Sequence, residues 1–157
     1  MRKGLLRRHG GQSMVEFAVL APIFFLLLLG TIDLGRAVYI YNTISDAARE
    51  GTRAAIPFDT PLPSNATVVG AVQSKLGGGF SLQTDPCAGQ AQTASCPSTP
   101  TTPNTGYIWY SSGIGTPGRN TVTVKISFLF QPWIPVVRDA AGNGVVISAE
   151  STMVTEY

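Results

Sequence analysis

Hydrophobic residues are concentrated in one long stretch near the N-terminus of the chain. Residues 15 to 32 form an apolar run of 18 residues whose one ionisable side chain is Glu16. As a helix this run measures about 27 Å, which approaches the hydrocarbon thickness of a bilayer. A removable secretory signal would be shorter and would end in a small-x-small cleavage site, whereas this run passes through residues 31 to 34 without one. We therefore expect a retained transmembrane helix.

Basic residues precede this run and indicate its orientation. They are Arg2, Lys3, Arg7 and Arg8. Positive charge beside a span is typical of its cytoplasmic side. We therefore expect a single-pass protein of the cytoplasmic membrane, with its N-terminus in the cytoplasm and its C-terminal domain outside.

The helical pattern continues beyond the span, because residues 33 to 55 contain no proline. We predict one rod from Ser13 to Ala55, kinked at Pro22, where the ring removes a backbone donor and clashes with the preceding turn. Its second half is expected to be amphipathic. The predicted packing face is Tyr39, Thr43, Ala47, Gly51 and Ala55, and the opposite face carries Asp46, Arg49, Glu50 and Arg53.

Ala47, Gly51 and Ala55 form a stripe of small residues at spacings of four. A glycine inside a helix costs about 1 kcal/mol relative to alanine, so close packing should compensate for Gly51. Small stripes allow another backbone to approach closely. The stripe contacts either this protein's own sheet or the helix of a neighbouring subunit, and the sequence leaves both open.

Period-two patterns after the rod predict a small sheet. Thr121 to Phe130 alternates strictly, with Leu129 as its one exception, and Val145 to Val154 is a second, less regular strand. Phe80 to Thr84 and Tyr107 to Tyr110 are weaker candidates, and a short helix capped by Ser64 or Asn65 is expected over residues 66 to 76. The expected fold is therefore α+β, with a long N-terminal helix packed on a three- or four-stranded antiparallel sheet.

The connection between the two strongest strands, residues 131 to 137, is unusually apolar and contains Trp133. Trp133 could be an interfacial anchor or a contact surface for another protein. Alternatively, the segment folds over the open end of the sheet and completes the core. The sequence does not separate these possibilities.

Cys87 and Cys96 enclose eight residues in a polar segment. Because the domain is expected outside the cytoplasm, we predict a disulfide between them. Two thiols without a histidine partner make a poor metal site, and their spacing is not that of a Cys-x-x-Cys motif.

Composition and charge exclude several classes of function. Four of the 11 Lys and Arg residues lie within residues 1–11, so the rest of the chain has seven basic and nine acidic residues and a net charge of −2 instead of +2. No basic surface typical of nucleic-acid binding remains. The one histidine, His9, also lies in that segment, and serines such as Ser111 lack a nucleophile elbow. We expect no enzyme, no metal site and no cofactor.

One motif at the start of the apolar run gives a family resemblance. Gly11 is followed by four residues, then Glu16 and Phe17, and this spacing resembles a type IV prepilin processing site. The chain is similar to the TadE-like proteins of tight-adherence pili, and the agreement extends through Pro22, Gly30, residues 33 to 36 and residues 47 to 54. The resemblance implies that a prepilin peptidase cuts between Gly11 and Gln12. It also implies a pilus assembly platform and other pilins as partners.

Glu16 has two interpretations from its chemistry alone. A carboxylate at membrane depth usually has a partner of opposite charge. Cleavage would create an α-amine at Gln12, which lies four residues before Glu16 and therefore on the same face of the helix. The simpler alternative is that Glu16 sits in the first helical turn, where the helix dipole and interfacial water stabilise it. The resemblance favours a role in assembly for Glu16 and Phe17.

These observations divide the chain into four parts: a leader at residues 1–11, a transmembrane half-helix at 12–32, its amphipathic continuation at 33–56, and an extracytoplasmic pilin-like domain at 57–157. The function they favour is a minor pilin or assembly factor, with later extraction into a surface pilus as one outcome. The alternatives are a major filament subunit and a membrane-tethered binding or adhesion module outside any pilus.

Overall fold

The fold is that of a long helix joined to a small α+β domain, in a computed structural model that describes residues 11–58, 60–142 and 144–157. The leader residues 1–10 lie outside this description. The helices are α1 (Gln12–Ala54), α2 (Asn65–Leu76) and α3 (Pro135–Ala140), and a 3-10 turn spans Gly77–Gly79. The strands are β1 (Ser81–Thr84), β2 (Thr105–Tyr110), β3 (Thr121–Phe130) and β4 (Val145–Val154). This confirms the predicted α+β class.

Helix α1 is one continuous element of 43 residues that passes through Pro22. At 1.5 Å per residue it is about 65 Å long. None of its most hydrophobic 18-residue window is buried against the rest of the protein. By length and composition α1 is therefore a candidate membrane anchor, and its apolar N-terminal half needs a non-aqueous environment.

The buried face of α1 differs from the predicted stripe at its N-terminal end. From Ile40 to the C-cap residue Ala55, the buried residues are Ile40, Ile44, Ala47, Ala48, Gly51, Thr52 and Ala55. Tyr39 is 65% exposed, so its assignment to the packing face was wrong. A step of four residues turns about 400°, and four such steps place Tyr39 about 160° around the axis from Ala55. The real face alternates steps of three and four.

The sheet has the order β1-β2-β3-β4 and is mostly antiparallel. Strand β3 pairs antiparallel with β2 and with β4, but β1 pairs parallel with β2. The predicted antiparallel sheet is therefore confirmed for β2, β3 and β4, whereas β1 joins it in parallel. In a parallel pair both strands begin at the same edge of the sheet, so the chain must return from the end of β1 to that edge before β2 starts. The segment of residues 85 to 104 is long enough for this return.

The core lies between the sheet and a layer made by α1 and α2. The alternating apolar residues of β3 face it, as predicted, and all five are buried: Val122, Val124, Ile126, Phe128 and Phe130. Leu129 and Ser127 on the opposite face are also buried. The disulfide-containing loop approaches that face, since Thr93 and Cys96 border the same cleft as Ser127.

Helix α2 begins with a capping box, because Ser64 and Thr67 bond each other's backbone N–H. Its Val68, Val72 and Leu76 point into the core. A Cβ added to Gly51 would lie 2.5 Å from Val72 Cγ2 and 3.4 Å from a methyl group of Val124 on β3. Gly51 is therefore packed against α2 as well as the protein's own sheet.

Candidate functional site

The first candidate site is the start of α1. Gly11 is the N-cap residue and has no side chain to bond the helix end. The side-chain amide of Gln12 donates to Glu16 Oε1 at 3.3 Å, which places these two residues on one face as their spacing predicts. Phe17 is exposed. Among the described residues, these side chains extend from the helix without packing on the folded domain.

The position of Glu16 within α1 bears on its two interpretations. The first turn of α1 contains no acidic residue, because Glu16 is the fifth residue of a helix that begins at Gln12. The helix-dipole effect decreases sharply beyond the first turn. Placement of Glu16 in the first turn was therefore wrong, and the dipole is a weaker reason for a carboxylate at this depth.

A second site lies where the apolar half of α1 ends. Asp33 is 7% exposed, although it is charged and directly follows the apolar run. Its Oδ1 accepts a hydrogen bond from the Arg36 guanidinium at 2.9 Å. Its Oδ2 accepts the backbone N–H groups of Trp133 and Ile134 at 2.9 and 3.2 Å. One carboxylate thus joins α1 to the segment that precedes α3, and these charge-assisted bonds offset its burial.

Arg36 contacts the indole ring of Trp133, whereas Asp33 bonds the backbone N–H of the same residue. The guanidinium carbon of Arg36 lies 3.8 Å from the centre of the Trp133 ring and 5.1 Å from the centre of the Phe130 ring. Cations bind aromatic faces at such distances. Trp133 nevertheless remains 68% exposed. The contacts with Asp33 and Arg36 therefore fix its position while most of its surface faces outward.

An apolar groove of about 340 Å³ adjoins this cluster. Its lining residues come from α1, β3, the following segment, α3 and β4: Gly30, Asp33, Leu34, Ala37, Phe130, Pro132, Ile134, Val137, Val145 and Ile147. Ile134 Cδ1 lies 3.9 Å from the position that a Gly30 Cβ would occupy. Pro132 and Ile134 are buried, as folding over the sheet end requires, whereas Trp133 projects outward. Pro132 and Ile134 therefore fold over the sheet end, and the role of exposed Trp133 as an anchor or contact surface stays a prediction.

The disulfide loop is a third polar cluster. Cys87 and Cys96 are bonded to each other. Asp85, which is 3% exposed, accepts the backbone N–H groups of Cys87 and Ser98, both at 2.7 Å, and the Ser98 hydroxyl at 2.9 Å. The indole N–H of Trp109 donates to the Cys87 carbonyl oxygen at 3.1 Å. These bonds attach the loop to β2 and close it at both ends.

Sequence reasoning missed the roles of Asp33, Arg36 and Asp85. A pair of opposite charges at i and i+3 directly after an apolar span is a signal for the first two. An Asp-Pro dipeptide, which favours turn initiation, is a signal for Asp85. Across residues 11–58, 60–142 and 144–157, no group of three or more His, Cys, Asp or Glu side chains could hold a metal ion.

Comparison with known proteins gives one result. Residues 11–53 match the family model described as TadE-like protein. No curated protein and no solved structure matches the chain. The matched region contains Gly11, Glu16, Asp33 and Arg36, but neither Trp133 nor the disulfide loop. Residues 11–53 are thus similar to the TadE-like family, and this similarity supports a protein associated with a tight-adherence pilus.

Proposed function

We propose that this protein is a minor pilin or assembly factor of a tight-adherence, type IV-like pilus. The observation that carries the proposal is the continuous α1, whose unburied apolar half begins with the Gly11-to-Glu16 spacing and whose other half packs into the domain. A TadE-like match over the same helix supports it. Such a rod can act through helix–helix and subunit contacts without catalysis.

The proposed organisation follows the division of the sequence. Residues 1–11 form a cytoplasmic leader, residues 12–32 cross the cytoplasmic membrane, and residues 33–56 continue the helix into the domain of residues 57–157 outside. A prepilin peptidase removes the leader between Gly11 and Gln12. The assembly platform and other pilins are the partners of the processed protein.

Glu16 has a specific role in this proposal. After cleavage, the new α-amine at Gln12 lies one turn before Glu16, and the same amine on a neighbouring subunit is a counter-charge for docking. In a low-dielectric environment, removing one partner of an ion pair leaves an uncompensated charge that costs about 3–5 kcal/mol. Loss of Glu16 should therefore impair assembly more than insertion.

The experiment compares strains that produce the wild-type chain, Gly11→Leu, Glu16→Gln or Asp46→Asn. Intact mass of the membrane-extracted wild-type protein should lack residues 1–11, and Gly11→Leu should retain them. Glu16→Gln should be inserted and processed but should fail to support pili or co-purify with other pilins. Asp46→Asn is the matched control, because Asp46 is exposed on α1 beyond the proposed span, and it should behave as wild type.

Two outcomes would contradict parts of the proposal. A wild-type protein that keeps residues 1–11 beside an active peptidase would favour the membrane-tethered binding module. Normal pili with stable, processed Glu16→Gln would reduce Glu16 to a helix carboxylate without a role in assembly. Normal pili after deletion of the gene would reject the pilus function itself.

A further inference from the structure

We propose that residues 131–137, which we call the foot, bind the non-cytoplasmic surface of the lipid bilayer, with Trp133 as the anchor. The foot follows β3, includes the first turn of α3, and is held against α1 by Asp33. This proposal rests on α1 crossing the membrane and is independent of any pilus function. It adds a second membrane contact to the helix.

Depth is the first argument for a lipid partner. Ile134 Cδ1 of the foot lies 3.9 Å from the position that a Gly30 Cβ would occupy, which is van der Waals contact distance. Gly30 lies two residues before Ile32, the last residue of the apolar run, which corresponds to about 3 Å along the helix axis. A foot that contacts this part of α1 lies at the boundary between hydrocarbon and headgroups when α1 spans the bilayer.

The chemistry of the exposed surface agrees with that depth. Indole rings are enriched at membrane interfaces because they combine an apolar body with a polar N–H. The groove that adjoins the foot also has exposed apolar side chains in its lining, since Leu34, Val137 and Val145 are 65%, 41% and 49% exposed. The adjoining groove is almost entirely apolar and is continuous with the lipid-facing side of α1. An interfacial lipid layer would cover this surface.

The charges of Asp33 and Arg36, where the foot meets α1, are compatible with a position at the membrane boundary. A lone carboxylate at a membrane boundary is unfavourable, and paired charges are the usual solution. Asp33 is paired with Arg36 and bonded to two backbone N–H groups, so it brings no uncompensated charge to the interface. Arg36 and Asp33 act as positioning residues that orient the Trp133 ring.

Tryptophan fluorescence provides a direct test, because the chain has two tryptophans. The full chain is reconstituted in phosphatidylcholine vesicles that carry bromine either near the headgroup or near the end of the acyl chains. Trp109 is buried in the domain and should not be quenched. We expect shallow bromine to quench part of the wild-type emission more strongly than deep bromine does. Trp133→Phe should abolish this quenchable part.

A control variant separates the foot from the anchor. Leu26→Trp, placed in the Trp133→Phe chain, introduces a tryptophan inside the apolar run and should be quenched mainly by deep bromine. If Leu26→Trp is quenched while wild-type Trp133 is not, the foot proposal is wrong and the span stands. If neither tryptophan is quenched, both the foot proposal and the membrane span of α1 are wrong. Blue-shifted Trp133 emission without bromine quenching would show that protein, not lipid, covers the foot and would also overturn the proposal.

Discussion

At the residue scale, Gly51 shows how helix propensity and packing oppose each other. Replacing it with alanine should gain about 1 kcal/mol of helix propensity. The new Cβ would lie 2.5 Å from buried Val72, a stiff β-branched side chain, so neighbouring groups must move. Overpacking of this kind costs about 1–3 kcal/mol. We predict that Gly51→Ala lowers the free energy of unfolding by up to about 2 kcal/mol.

The matched control is Gly70→Ala, because Gly70 lies inside α2 and a Cβ there would meet no atom within 4 Å. This variant should raise the free energy of unfolding by up to about 1 kcal/mol. Urea denaturation of both variants measures the difference. Equal stabilisation by the two substitutions would show that α1 does not pack this closely against α2.

At the scale of elements, the disulfide between Cys87 and Cys96 should contribute to the free energy of unfolding of the domain. In the chain-entropy model, closing a loop of this length contributes roughly 2.5 to 3 kcal/mol. The double variant Cys87→Ser/Cys96→Ser should therefore unfold at lower urea concentration. Because the loop lies far along the chain from α1, the variant should still reach the membrane fraction at wild-type levels.

Asp85 makes a separate contribution to the same loop. The variant Asp85→Ala leaves the partly buried N–H groups of Cys87 and Ser98 without their acceptor. A fully buried unsatisfied group costs about 1–3 kcal/mol, and partial exposure to water lowers that cost. We predict a loss of stability with the disulfide intact, measured by urea denaturation and non-reducing peptide mapping. Asp139→Ala is the control, because Asp139 is exposed. Equal stability of the two variants would argue against the role of Asp85.

At the scale of the whole molecule, the domain should fold without the apolar half of α1. We predict that fragments of residues 31–157 and 39–157 are both soluble and folded, because the buried core residues of α1 begin at Ile40 and Ala37 before them is only partly buried. The shorter fragment lacks Asp33 and Arg36 and should be less stable by about 1–3 kcal/mol, since two backbone N–H groups lose their acceptor. Urea denaturation compares them.

Hydrogen exchange on the longer fragment examines the packing face of α1. Amides of residues 44 to 55 should be strongly protected, because this part of the helix lies beneath α2, β3 and β4. Rapid exchange throughout this stretch would instead indicate that the face is open in solution and awaits another subunit.

Local patterns in the sequence were sufficient for several features. The apolar run predicts a spanning helix because its length and composition alone determine the fit to a bilayer. The alternation in Thr121 to Phe130 predicts which face of β3 is buried, since side chains alternate along any strand. The bounds of β3 and β4 coincide with the predicted strands for the same reason. The Ser64 cap of α2 is likewise a contact between near neighbours.

The tertiary structure decided the features that depend on residues far apart in the chain. Asp33 bonds backbone groups 100 and 101 positions away, and no periodicity encodes that meeting. The parallel pairing of β1 with β2 depends on the path of a long connection, which composition does not specify. Tyr39 is exposed because the position of the sheet and α2 around α1 selects the buried face. The sequence by itself therefore determined the long helix, α2, the strands, the membrane candidate and the family resemblance. The short helix α3 was not predicted, and packing determined the contacts that hold Trp133 in place.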